Sequence, residues 1–397
     1  MQTKLGKLLT ICLAGAGLAG CGGGDPQDEQ ARSQAETARV LAAAPSVDAA
    51  LPPPAAPRGD QYGMSNAIPS RHQWEANYGY CGEVAFVSAG LYYGQYVSQF
   101  EARSAATPGV KQSQYSSQLL ISNNDLTAAR NMHLSAAEWD WRSDTLTTND
   151  FLAWIKGHVL AGDPVIIGVY MNMYLFNGST GDTSGGSSDY DHIVLVNGIG
   201  SNHPLAQGLN QVYYAHDLLQ FSDHGLYNDL VGDNSANPPA SAYLFRQSFG
   251  AFQATRAAAD KKSAPPYSEA IHTRSANENA GVAITGVVDL KHETVPVRLT
   301  TDINDERPVI KEGATVAPRP VPVTLTATVS GLVRGMNYTL YQYNSLNAIP
   351  DSDFNANAAK AYKTISFTAT GPMYELPALH ILSNEVVAFR AVAMGAP

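Results

Sequence analysis

Cys81 stands in Asn77-Tyr78-Gly79-Tyr80-Cys81-Gly82-Glu83, ahead of a segment in which Val84, Val87 and Leu91 recur at helical spacing. A thiol at or near a helix N-terminus meets unpaired N–H groups and the positive end of the helix dipole. Both stabilise the thiolate and lower the pKa from about 8.5. A cysteine that merely fills a core needs no such placement. A nucleophilic thiol also needs a base. His192 is the candidate, in Asp189-Tyr190-Asp191-His192 before the run Ile193-Val194-Leu195-Val196 and the turn signal Asn197-Gly198. The alternation predicts that His192 opens a strand, its ring on the face of Val194 and Val196. Residues 211–217 (QVYYAHD) read as a neighbouring strand ending in a carboxylate. Asp217 is the expected acceptor for the His192 ring N–H, fixing its tautomer and stabilising the imidazolium.

Other elements must position these groups. Residues 149–160 carry Phe151, Leu152, Trp154, Ile155 and Leu160 at helical spacing and end at Ala161-Gly162-Asp163. Residues 164–170 (PVIIGVY) then read as a strand. The order is a cysteine on a helix, more helices, a Gly-x-Pro-Val strand, a histidine strand and a carboxylate strand. On Tyr80-Cys81-Gly82, Gly162-Asp163-Pro164-Val165-Ile166, Asp191-His192-Ile193-Val194 and His216-Asp217, the chain resembles the papain-like cysteine peptidases. The likeness is to the compact bacterial group that includes the bacteriocin-leader-processing peptidases, and it spans roughly residues 70–250. The resemblance implies Cys81 as nucleophile, His192 as general base and then acid, and Asp217 as the orienting residue. It also implies a glutamine ahead of the cysteine as oxyanion donor, beside the Cys81 N–H. Gln73 fills that role eight residues ahead, where the family spacing is nearer six and this chain has Glu75. Asn77 is the other amide in reach. Loss of one such donor costs about 2.7–4 kcal/mol in comparable sites. Tyr80, Gly82 and Asp191, beside the nucleophile and base, are the expected substrate contacts.

Composition excludes several alternatives. The chain has 397 residues, 44% apolar and 15% charged, enough for two or three domains with real cores. A net charge of −10 disfavours nucleic acid as a partner. Three cysteines make neither a disulfide scaffold nor a cysteine-rich zinc protein. His192, His203, His216 and His224 accompany Asp191, Asp217 and Asp223, but no His-Glu-x-x-His occurs and the imidazoles fall on different expected elements. Residues 302–306 (DINDE) lack the glycine and distal glutamate of a calcium loop and read as a polar turn. No metal or other cofactor is expected.

The start of the chain reads as an address. Lys4 and Lys7 precede an apolar stretch over residues 8–18, too short to span a bilayer. Leu18-Ala19-Gly20-Cys21 resembles the bacterial lipobox. That resemblance implies a signal peptide over 1–20 that carries Cys12 away, lipidation of Cys21, and sorting toward the outer membrane where two membranes exist, since position 22 is Gly. Residues 21–60, nearly free of large apolar side chains, read as a flexible tether. No later run reaches 18 apolar residues, so the body is expected outside the cytoplasm and held to a membrane by its lipid alone. Residues 178–191, Gly/Ser-rich and just before His192, read as a surface insertion or a substrate lid.

Residues 253–280 read as a connecting segment. From Gly281 the runs VAITGVVDL, VPVRLTT, VTLTATVSGL, MNYTLYQYN, KTISFTATG and VVAFRAVAM alternate between turn residues, which predicts an antiparallel β-sandwich over 281–397. Residues 331–341 (GLVRGMNYTLY) resemble fibronectin-type-III modules, and a carbohydrate or protein ligand, or a spacer role, fits this part equally. The expected fold class is α+β: a papain-like domain over 61–252, helices packed on an antiparallel sheet, followed by the sandwich. The expected function is a lipid-anchored cysteine peptidase acting on a peptide or protein through an acyl-enzyme. The alternatives are a papain-like acyl transferase or cell-wall amidase, and a non-catalytic surface binding or adhesion lipoprotein.

Overall fold

The computed structural model describes residues 61–71, 73–74, 77–172, 190–223, 244–270, 279–301 and 320–394. The signal peptide, Cys21, the tether, Glu75, His224, the 302–306 turn and all but the last two residues of the 178–191 loop lie outside them. The first part runs β1 (Tyr62–Ser65), α1 (Cys81–Tyr92), β2 (Gln95–Tyr96), α2 (Gln99–Ala106), α3 (Asp125–Asn131), β3 (Leu134–Glu138), α4 (Thr148–Ala161), β4 (Val165–Met171), β5 (His192–Ser201), β6 (Leu218–Ser222) and β7 (Leu244–Ser248). It continues through α5 (Phe249–Phe252), β8 (Gln253–Ala254), α6 (Arg256–Ala259), β9 (Tyr267–Ala270) and β10 (Gly281–Val287). The rest comprises β11 (Thr294–Val295), β12 (Val297–Thr301), β13 (Pro322–Ser330), β14 (Asn337–Tyr343), β15 (Lys363–Thr368), β16 (Met373–Glu375), β17 (Leu379–Leu382) and β18 (Val387–Ala393). The chain is therefore a mixed helix-and-sheet protein, and its sheets are antiparallel apart from the two-residue β8–β9 pairing.

Among the described residues, one sheet of nine strands has the central order β3-β10-β4-β5-β6-β7, with β1 on β5 and β9 on β4. Helices pack on both faces, so the middle strands are apolar on both faces over most of their length. On β5, Ile193 and Leu195 point toward α1 and share a cluster with Ile166, Val282 and Ile284, whereas Val194 and Val196 share the opposite cluster with Phe151, Leu152, Ile155 and Val159 of α4. Helix α4 is well bounded. Thr147 and Asp150 form a capping box at its start, and Gly162, at φ 96°, ends it.

Two smaller antiparallel sheets follow, β11-β18-β14-β15 and β12-β13-β16, with β17 on β13. Both contribute to one apolar cluster that includes Leu299, Val323, Leu325, Leu340 and Phe389. The domain boundaries read from the sequence need correction. Residues 253–280 are not a connector, because β9 pairs with β4. The run after Gly281 is not the first strand of the C-terminal sheets. It is β10, inserted between β3 and β4. Alternation identifies a strand but not the sheet it joins. In the other direction, β2 pairs with β18, and Leu91 of α1 and Tyr96 of β2 sit in the C-terminal cluster. The two parts share a core. Among the described residues, no helix is long and apolar enough to cross a membrane.

Candidate active site

Helix α1 begins at Cys81. Its N-cap, Tyr80, makes no side-chain cap, and every one of its residues is buried. A helix buried on all sides packs closely only where its residues are small. Gly82 is such a point: a Cβ there would lie 2.2 Å from the Leu119 carbonyl oxygen and 3.2 Å from Ile193 Cδ1. The first turn of α1 thus abuts the start of β5, one residue from Cys81 on one side and one residue from His192 on the other. This packing corrects the expectation that Gly82 contacts substrate, since its Cα face is filled by Leu119.

His192 opens β5 and is wholly buried. Its ring stacks on Tyr267 of β9 at 5.6 Å, on the strand face of Val194. Its Nε2 lies 3.0 Å from Asp223 Oδ1, which is equally buried. Nδ1 has no hydrogen-bond partner among the described residues. No hydrogen bond therefore joins the ring to the Cys81 sulfur. The sulfur is held in a disulfide whose partner lies outside the described residues. Cys81 packs in the α1 cluster with Ile193, whereas His192 lies on the opposite strand face, so the approach of ring and sulfur runs around the first residue of β5.

Asp217 is corrected as the orienting carboxylate. It precedes β6 and is bonded at 2.5 Å to Lys156 Nζ and at 2.5 Å to the Ser201 hydroxyl. Residues 211–217 form no strand. In an antiparallel pair the start of one strand meets the end of the next. Ser201 at the end of β5 meets Asp217 before β6, and His192 at the start of β5 meets Asp223 after β6. Asp223 was visible in the sequence as part of the His/Asp cluster. Its pairing was hidden because β6 begins later than expected.

The remaining expected contacts are equally specific. Tyr80 is not a groove residue. It is buried between Trp74, edge-on at 5.2 Å, and the Arg103 guanidinium at 3.6 Å, and it donates to Gln112 Oε1 at 2.8 Å. Burial raises its pKa. Asp191 is not open to substrate either. Arg256 Nη1 lies 2.5 Å from its Oδ2, and its Oδ1 accepts from the Met171 N–H at 2.6 Å. Burial still raises the Asp191 pKa against the opposing Arg256 charge. Asn77 Nδ2 is committed to the Tyr80 hydroxyl at 3.3 Å. Gln73 is buried next to Trp74, and its Oε1 has no partner among the described residues. Of the two amides, Gln73 is the one not already engaged beside Tyr80. The neighbouring tyrosines pack rather than line a groove: Arg298 lies 3.5 Å over Tyr92, and the Tyr96 hydroxyl donates to the Ser383 carbonyl at 2.9 Å.

Among the described residues, no three His, Cys, Asp or Glu side chains converge as a metal site. Comparison of the chain with protein-family models, curated proteins and solved structures finds no match.

Proposed function

We propose that the chain is a lipid-anchored, extracytoplasmic cysteine peptidase with Cys81 as nucleophile, His192 as base and Asp223, in place of Asp217, as the orienting carboxylate. The observation that carries this reading is the buried His192–Asp223 pair at the end of the strand on which the first turn of α1 rests. An Nε2–H donated to Asp223 leaves the Nδ1 lone pair as the basic site of the neutral ring. That nitrogen takes the Cys81 proton as sulfur attacks the carbonyl carbon. It then delivers the proton to the leaving amine, and a thioester remains on Cys81. Water, deprotonated by the same nitrogen, releases the acid and restores the thiol. On this reading the Cys81 N–H and Gln73 receive the oxyanion. Both Cys81 and His192 are buried, so a peptide reaches them only after what covers them moves. The domain reading is papain-like, with the two C-terminal sheets forming a fibronectin-like β-sandwich.

The lipoprotein reading bears on the thiol. Signal cleavage removes Cys12 and lipidation occupies the sulfur of Cys21, which leaves Cys81 as the one thiol of the mature chain. The second reading, a non-catalytic surface lipoprotein, is favoured by one observation: among the described residues the His192 Nδ1 has no hydrogen-bond partner, so ring and Cys81 sulfur are not joined. Iodoacetamide labelling of the reduced mature protein across pH separates the two. The peptidase reading expects Cys81 to react with a midpoint below the free-thiol value of about 8.5, and His192→Ala to shift that midpoint upward. A midpoint at the free-thiol value in the wild type, unchanged by His192→Ala, overturns it.

A further inference from the structure

The loop that delivers the chain to Cys81 carries three successive residues of positive φ: Asn77 at 47°, Tyr78 at 70° and Gly79 at 83°. For non-glycine residues this conformation is strained, and it persists only where the surroundings hold it. Arg103 of α2 is what holds it. Its buried guanidinium donates to the carbonyl oxygens of Asn77 at 2.8 Å, Gln112 at 3.3 Å and Gly79. The same group lies over the Tyr80 ring and bonds Glu83 Oε1 at 2.5 Å. Glu83 sits in the first turn of α1. Its Oε1 also accepts from the Leu119 N–H at 2.9 Å, in the segment whose carbonyl closes on Gly82. One ion pair therefore ties together the strained loop before Cys81, the helical turn after it and the strand of chain lying across it.

Burying two charges gains little net stability over an apolar pair of the same volume. What the pair does supply is geometry, because a planar guanidinium reaches several carbonyls at fixed angles and an ammonium does not. We infer that Glu83 and Arg103 are a positioning pair for the nucleophile. They preset the 77–80 loop and the Cys81 N–H in the arrangement that meets the reacting carbonyl. This role rests on the reading of Cys81 as the nucleophile.

The test uses the reduced mature protein, Arg103→Lys, and the double variant Glu83→Leu/Arg103→Met, which removes both charges and so leaves neither unpaired. Three quantities are read: the melting temperature, kcat and KM on a peptide the wild type cleaves, and the pH midpoint of Cys81 alkylation. The expected result is that Arg103→Lys lowers kcat about 10²-fold with KM within about twofold and raises the alkylation midpoint. The double variant is expected to fold but to melt below the wild type, since the carbonyls of Asn77, Gly79 and Gln112 and the Leu119 N–H lose their partners, and to keep the low kcat and the raised midpoint. A folded double variant with wild-type kcat and midpoint overturns the positioning role while the peptidase reading stands. A wild type that cleaves no peptide overturns the peptidase reading. The alkylation midpoint, which needs no turnover, then still reads the pair: an unshifted midpoint in the folded double variant ends its role as well.

Discussion

His192 Nε2 lies 3.0 Å from Asp223 Oδ1, the first residue of β5 against the residue that follows β6, and both side chains are sealed from solvent. Asp217 sits at the other end of the same strand pair, between Lys156 and Ser201. The two carboxylates therefore have different work. Asp223→Asn is expected to lower peptide turnover by about 10²-fold or more through loss of the correct imidazole tautomer, with little change in melting temperature. Asp217→Asn strands a buried ammonium and is expected to cost about 3–5 kcal/mol of stability. Turnover and thermal melts of the two variants check this, and the reverse pattern would restore Asp217 to the site.

Gly82→Ala tests the seam between α1 and β5. In an open helix, alanine gains about 1 kcal/mol over glycine. Here the new methyl meets the Leu119 carbonyl oxygen at 2.2 Å, and overpacking of this kind costs about 1–3 kcal/mol. The variant is expected to melt below the wild type. A higher melting temperature would show that the segment carrying Leu119 does not rest on Gly82.

Much of this arrangement was legible in the residues, and the misses share one cause. The helix after Tyr80, the helix near residues 149–160 and the strand after Asp191 follow from period and end signals, which are local. Alternation on β5 even placed the His192 ring on the face of Val194. Partners across the sheet are not local. The run over 211–217 has a strand-like composition, yet its Tyr213 and Tyr214 side chains pack against Phe249 and His203 beside a turn, and the strand begins one residue after Asp217. The Glu83–Arg103 pair is not legible in the sequence, because its members are twenty residues apart on separate helices and no spacing rule links them. Gly82 and Tyr80 adjoin the thiol in sequence, but adjacency in sequence does not show which way a side chain faces.

The insertion of β10 between β3 and β4 gives a test of domain limits. A chain ending at residue 280 loses Val282 and Ile284, both fully buried, and leaves β3 unpaired from β4. Residues 61–280 are expected to show no cooperative melt by circular dichroism. A sharp transition with native-like near-ultraviolet signal would place β10 outside the folding unit.

Asp125 supplies a pH signature. Burial, with the nearby Glu138 charge adding to it, pushes its pKa up to about 7. An unfolded aspartate titrates near 4. Between those values the folded chain holds a proton the unfolded chain has released. This contribution is therefore fully present below about pH 4 and is lost as pH rises through about 7, by on the order of 1–3 kcal/mol. Asp125→Asn is expected to flatten that part of the slope in denaturant midpoints measured from pH 5 to 8. An identical slope in the variant would remove Asp125 from the account.

The decisive measurement is digestion of a proteome-derived peptide library by the reduced mature protein. New peptide termini are expected with the wild type and none above background with Cys81→Ala or His192→Ala, while both variants keep the wild-type fold. An untouched library, or cleavage that survives in Cys81→Ala, would contradict it.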